Sequence, residues 1–342
     1  MESLHSFFKT GGEMEGESDR EREMEGEGIE HRTVEVNGIK MHIAEKGDGP
    51  VVLFIHGFPE LWYSWRHQIL SLAAHGYRAV APDLRGYGDT DAPLDVAAYT
   101  IMQLVGDLVG LIHSLGQEQV FVVGQDWGAL VAWHLCLFRP DLVKAVVNLS
   151  IPFISPNPTH NLIDYWREIY GDDFYVCRFQ EPGEAESLFA QVDTSMVIKL
   201  FLICLKPGPL IIPKDKGLQG AFDEKEITLP SWLCEEDINY FTSKFNLTGF
   251  TGGFNYYRNL NKNTELTAPW MGAQVKVPAK YIVGDLDLVY HFAGMKDYIH
   301  GGGLDGMVPS LEMVVLEGVG HFSHQEKPEE ISDHIYEFIK RF

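Results

Sequence analysis

An aspartate stands between two glycines in Gly124-Gln125-Asp126-Trp127-Gly128, directly after the apolar run Val120–Val123 and before an apolar stretch opening at Ala129. Strand, sharp turn and helix form the setting that lifts a nucleophile out of the backbone, with glycines allowing the bend and the close approach of strand and helix. The turn also brings the Asp126 carboxylate near the positive end of the following helix. Aspartate is a favoured N-cap as well, so taken alone this residue could equally cap that helix. Two further segments favour chemistry. His56-Gly57-Phe58-Pro59 follows the run Val51–Ile55, where a turn can aim backbone N–H groups at developing negative charge; the donors would be Phe58 and Trp127. Asp287 follows the run ending at Val283, and His321 follows the run ending at Leu316. Three strand ends thus carry Asp126, Asp287 and His321, in the chain order nucleophile, acid, histidine.

The residue type at the turn selects the reaction. A serine needs a base to become nucleophilic, whereas a carboxylate is already ionised near neutral pH. The histidine is then free for a second step, activating water against a covalent ester. Carboxylate attack on an ordinary ester would give a reactive anhydride. Attack on a saturated carbon bearing a leaving group gives an alkyl ester that water can cleave, so an alkyl halide or an epoxide fits. A halide leaves as a weakly basic anion, while an opened epoxide leaves an alkoxide that needs a proton donor. Tyrosine, with a reference pKa near 10, can serve. The residues between Pro152 and Glu265 offer several tyrosines, and composition does not choose among them.

These side chains need a scaffold. Val51–Ile55 is a continuous apolar run, as for a strand covered on both faces; Arg78–Ala81, Val120–Val123, Ala145–Leu149, Ala279–Val283 and Met313–Leu316 look alike. Helical patterns lie between them, such as Leu61–His75 closed by Gly76. Ile331, Ile335, Phe338 and Ile339 share one helix face. The alternation predicts an α/β fold with a mostly parallel sheet flanked by helices. It stops near Ile151. Residues 152–265 are proline- and aromatic-rich and helical in pattern, so 31–151 and 266–342 are expected to form one sheet core carrying an inserted helical lid over the carboxyl edge, where such folds bind ligands.

The chain has 342 residues, 45% of them hydrophobic, and a net charge of −22. So negative a field repels phosphate backbones and anionic lipid surfaces, which argues against nucleic acid as a partner. No apolar run approaches the roughly 20 residues of a membrane span. Residues 1–30 hold ten carboxylates against Lys9, Arg20 and Arg22. That composition reads as a disordered acidic extension, opposite in charge to a transit peptide and without the apolar centre of a secretory signal; Met14 and Met24 would serve as later starts. The terminal Arg341-Phe342 is not a peroxisomal address. Four cysteines without a Cys-x-x-Cys pair suggest no zinc or disulfide framework, and reduced thiols in the cytoplasm.

Longer motifs carry a family resemblance. HGFPELWYSWRHQ at 56–68, DLRGYGDTDAP at 83–93, GQDWG at 124–128, RFQEPGEAE at 178–186, GFTGGFNYYRNL at 249–260, GDLDLVY at 284–290 and GHF at 320–322 resemble the soluble epoxide hydrolases of the α/β-hydrolase fold, and more particularly the plant type, over about residues 29–342. The resemblance implies Asp126 as nucleophile, His321 as base and Asp287, rather than Asp285, as the residue orienting it. It implies Tyr257, rather than Tyr256, and Tyr175 as donors to the epoxide oxygen, with Glu60 and Gln125 as accessories; Gln125 stands where relatives often carry histidine. It implies a lipophilic epoxide, of fatty-acid or terpenoid type, and water as reactants. Neither metal nor organic cofactor is expected, because side chains supply every catalytic group, and the chain is compatible with a monomer or a homodimer. A haloalkane dehalogenase shares Asp126-Trp127, but Phe58 stands where many such enzymes carry an asparagine. A ligand-binding receptor on the same scaffold is the alternative outside enzymes.

Overall fold

The computed structural model describes residues 28–159, 161–222 and 227–342. Its chain opens with a feature that the strand–helix alternation does not announce, a hairpin of β1 (Glu30–Val36) and β2 (Ile39–Lys46). Asn37 and Gly38 at its tip both have positive φ, the conformation of the two-residue turn whose twist matches that of paired strands. Most of the acidic extension lies outside the described residues. Its last two positions belong to the fold, since Ile29 is buried and Glu30 opens β1.

β3 (Val51–Ile55), β4 (Arg78–Pro82), β5 (Val120–Gln125), β6 (Val143–Leu149), β7 (Ala279–Gly284) and β8 (Leu311–Leu316) complete one eight-stranded sheet in the order β1-β2-β4-β3-β5-β6-β7-β8. All pairings from β4 to β8 are parallel; those of β1 with β2 and β2 with β4 are antiparallel. Along β3 the side chains of Val51, Leu53 and Ile55 enter one core and those of Val52 and Phe54 the other, the period of two that a strand imposes. Each such fully buried aliphatic or aromatic side chain contributes about 1.5–3 kcal/mol. β8 differs from the expectation of a strand covered on both faces. It lies at the sheet edge, where Met313 and Val315 stay exposed and only Leu316 is buried.

α1 (Arg66–Ala74), preceded by a 3₁₀ turn at Trp62–Trp65, packs with the C-terminal helix (Pro328–Ile339) on one face of the sheet. α2 (Ile101–Ser114) and α3 (Trp127–Phe138) cover the other. Between β6 and β7 the chain forms α4 (Leu162–Tyr170), α5 (Tyr175–Arg178), α6 (Glu184–Phe189), α7 (Thr194–Cys204), α8 (Glu235–Thr248), α9 (Thr251–Arg258) and α10 (Leu260–Leu266). An isolated bridge, Phe174 to Ile211, is the extended pairing in this segment among the described residues. The segment sits over the carboxyl ends of the strands. Phe58, just past β3, packs its ring against Phe179, Phe201, Phe254 and Tyr257, and Tyr256 donates its hydroxyl to the carbonyl of Arg85. No helix among the described residues is long and apolar enough to cross a membrane.

Candidate active site

β5 ends at Gln125 and α3 begins at Trp127, leaving Asp126 alone at the bend with φ 50° and ψ −121°. A non-glycine residue held there costs about 1–3 kcal/mol. The crossing is tight enough to demand glycine. A Cβ on Gly128 would lie 2.0 Å from the carbonyl oxygen of Ile55, and one on Gly124 2.6 Å from that of Gly128. Asp126 occupies the N-cap position of α3, yet its side chain makes no capping hydrogen bond. Its Oδ1 instead accepts the N–H of Phe58 at 2.9 Å. The carboxylate is therefore held by the turn after β3 and is not spent on its own helix.

His321 lies in the loop after β8 with Nε2 3.5 Å from Asp126 Oδ2 and Nδ1 3.1 Å from each oxygen of Asp287. Asp285, the steric alternative, accepts the N–H of Gly318 instead. Two residues around His321 escape a reading of the sequence. Ser150, with φ 71°, brings Oγ to 3.2 Å from Nδ1 of His321, and its carbonyl is held by the hydroxyl of Tyr281. Glu326 accepts the N–H groups of Gly320 and Phe322 on either side of the histidine, fixing the loop that presents it. No short motif signals either residue; the spacing Gly320–Glu326 is informative only once the loop is seen to fold back on the first turn of α11 (Ser323–Glu326).

Burial alone would lower the pKa of His321, but the Asp287 carboxylate and the hydrogen bond to Asp126 outweigh it and raise the pKa well above the usual value. The sign yields a test. Asp126→Asn removes one of the two anions, which disfavours the imidazolium, so the histidine should titrate at lower pH than in the wild type. Histidine-ring NMR across a pH series reads this directly; an unshifted midpoint would mean that Asp126 does not act on His321.

Gln125 is buried beside His321, donating Nε2 to its carbonyl at 3.1 Å. Glu60 is fully buried. It accepts the N–H of Gly57 and an amide proton of Gln325, and lies 3.1 Å from Nε2 of His324. Burial would raise its carboxyl pKa; His324 beside it brings it below the usual value. Glu60 thus ties the Phe58 turn to the loop carrying His321 and lies behind the reacting centre.

Tyr175 and Tyr257 line an apolar cavity of about 270 Å³ together with Asp126 and Trp127, their ring centroids 5.7 Å apart. Burial, then the nearby carboxylates, push the Tyr175 pKa up; burial, then Tyr175 and Asp126, push that of Tyr257 up. Both phenols keep their protons at neutral pH and can donate. Tyr256 is engaged at Arg85 and packs against Trp127. Asp126 and the two phenols share one cavity wall, and His321, paired with Asp287, reaches Asp126 at 3.5 Å.

A family profile described as the alpha/beta hydrolase fold matches residues 50–175. "Epoxide hydrolase 2" of Siraitia grosvenorii is 60% identical over 305 residues, 89% of this chain and 96% of that protein. A crystal structure of an epoxide hydrolase from Vigna radiata is 62% identical, with a TM-score of 0.89 over 92% of this chain and 98% of that one. Potato (Solanum tuberosum) epoxide hydrolase I matches at 58% identity and TM-score 0.89, over 92% of this chain and all of that one (100%). The chain belongs to the epoxide hydrolases of the α/β-hydrolase fold. Its similarity is to the plant enzymes in particular, and the chain is an epoxide hydrolase.

Proposed function

We propose that hydrolysis proceeds through a covalent ester on Asp126. The carboxylate attacks one epoxide carbon, the ring C–O bond breaks, and the released oxygen takes a proton from Tyr175 or Tyr257. Water then attacks the ester carbonyl while His321, oriented by Asp287, removes its proton. The N–H groups of Phe58 and Trp127 hold the negative charge on the tetrahedral oxygen. Collapse releases the vicinal diol and the carboxylate, and the histidine proton restores the phenol by way of solvent. The balance is epoxide plus water to diol, with every catalytic group a side chain or backbone N–H, so the scheme calls for no cofactor. The observation that carries it is the shared cavity of Asp126, Tyr175 and Tyr257.

The same cavity supports a lipophilic substrate of fatty-acid or terpenoid type, since its wall also includes Leu130, Ile151, Leu162, Val289 and Phe292. Residues 152–265 act in this reading as the lid that supplies both phenols. The four free cysteines support a cytoplasmic setting, where thiols stay reduced. Purified protein given styrene oxide or a 1-chloroalkane is expected to form diol from the first and release no chloride from the second. Chloride without diol would make the halide reading the right one, and no turnover of either would leave a binding protein.

A further inference from the structure

One stripe of α3 faces the cavity from the nucleophile onward. Asp126, Trp127, Leu130 and His134 all line it, at the spacing that stacks side chains along one face of a helix. His134 stands eight residues beyond Asp126, roughly 12 Å along the axis at about 1.5 Å per residue. Its Nδ1 lies 2.8 Å from the carbonyl of Leu130. A carbonyl only accepts, so Nδ1 carries the hydrogen and Nε2 presents a lone pair. That lone pair has no hydrogen-bond partner among the described residues. The ring is half-buried, and its burial lowers the pKa, which keeps it a neutral acceptor.

Neighbouring polar groups on the lining each have a protein partner, unlike Nε2 of His134. Asn263 Oδ1 accepts the N–H of Ile101, and the hydroxyls of Thr264 and Thr267 donate to the carbonyls of Asn261 and Asn263. Ser155 Oγ accepts the N–H of Gly272. In so apolar a cavity an open acceptor discriminates sharply. A hydroxyl placed against it is paired, while one placed against the aliphatic wall of Leu130, Ile151, Leu162 or Val289 is buried bare.

The geometry points to His134 as a specificity residue that accepts a hydrogen bond from a substrate hydroxyl, so that the preferred substrate is a lipophilic epoxide bearing a hydroxyl about two helical turns from the reacting carbon. This deepens the epoxide reading above and rests on it. The test is a series of linear epoxides of graded length, each ending in a hydroxyl and paired with its alkane-ended analogue, with styrene oxide alongside. In the wild type the ratio of kcat/KM, hydroxyl over alkane, should peak at one chain length at roughly tenfold. His134→Leu and His134→Phe should each bring the peak down to one or below. The ratio is taken within one protein, so partial loss of folded enzyme cancels. A flat ratio in the wild type beside normal styrene oxide turnover, or a peak that survives in either variant, would overturn the inference and leave the epoxide reading standing. Failure to hydrolyse any epoxide, styrene oxide included, would remove that reading and this inference together.

Discussion

The double replacement Tyr175→Phe with Tyr257→Phe is expected to nearly abolish ring opening. Opening puts negative charge on an oxygen that had little, so donors at that point favour the transition state over the ground state. General-acid help is typically about 10²–10⁴-fold, or roughly 3–5 kcal/mol of barrier at about 1.4 kcal/mol per decade. Two phenols in one cavity can partly cover for each other, so each single replacement should slow alkylation by about one order of magnitude or more, and the pair by more than either. Phenylalanine keeps the ring that Tyr257 packs against Trp127, Phe58 and Phe179, so the fold should survive. Trp127, whose ring centroid is 5.0 Å from that of Tyr257, offers a fluorescence signal for the alkylation step under pre-steady-state conditions. Alkylation at the wild-type rate in the double variant would make the phenols packing residues.

His321→Gln is expected to react once and then stop. The proposed division of labour gives alkylation to Asp126 and the phenols, and only the ester hydrolysis to the histidine. While Asp126 carries its charge, it helps keep the His321 pKa high. Esterification removes that charge, so the pKa falls and the imidazole becomes a free base at the moment a base is needed. Loss of the base should slow the second step by about 10²–10⁴-fold, enough for an adduct of enzyme plus one epoxide to accumulate. Intact-protein mass spectrometry, followed by peptide mapping to Asp126, reads it. A variant that binds epoxide yet forms no adduct would mean that His321 is required for alkylation.

Much of the candidate site could be read from the chain because the three side chains proposed to act, Asp126, Asp287 and His321, each follow a strand, and apolar strand runs are conspicuous. Val120–Val123, Ala279–Val283 and the run ending at Leu316 announce themselves by composition, and the residues a few places beyond them arrive at the same sheet edge. Asp287 could be preferred to Asp285 only through the family motif; the structure gives the physical reason, which is that Asp285 is occupied by the N–H of Gly318. Tyr256 and Tyr257 are adjacent and chemically identical, so no local pattern separates them. Their difference is the tertiary contact of Tyr256 with Arg85. Ser150 and Glu326 were illegible for the same reason, since each acts through a contact with a loop brought near by the sheet. The hairpin β1–β2 did carry a local signal at Asn37-Gly38, masked because its strands mix charged residues with apolar ones. β8 departs from the expected doubly covered strand because edge position is a property of the whole sheet and has no trace in an apolar run.

The central claim is that water oxygen reaches the diol only by way of Asp126. The measurement that tests it is a single turnover with enzyme in excess over epoxide, carried out in water enriched in heavy oxygen. The account predicts an unlabelled first diol, its new oxygen drawn from the carboxylate, with the label appearing on Asp126 in the peptide map. A labelled diol from that first turnover, with Asp126 unlabelled, would mean direct attack by water and would contradict the covalent mechanism.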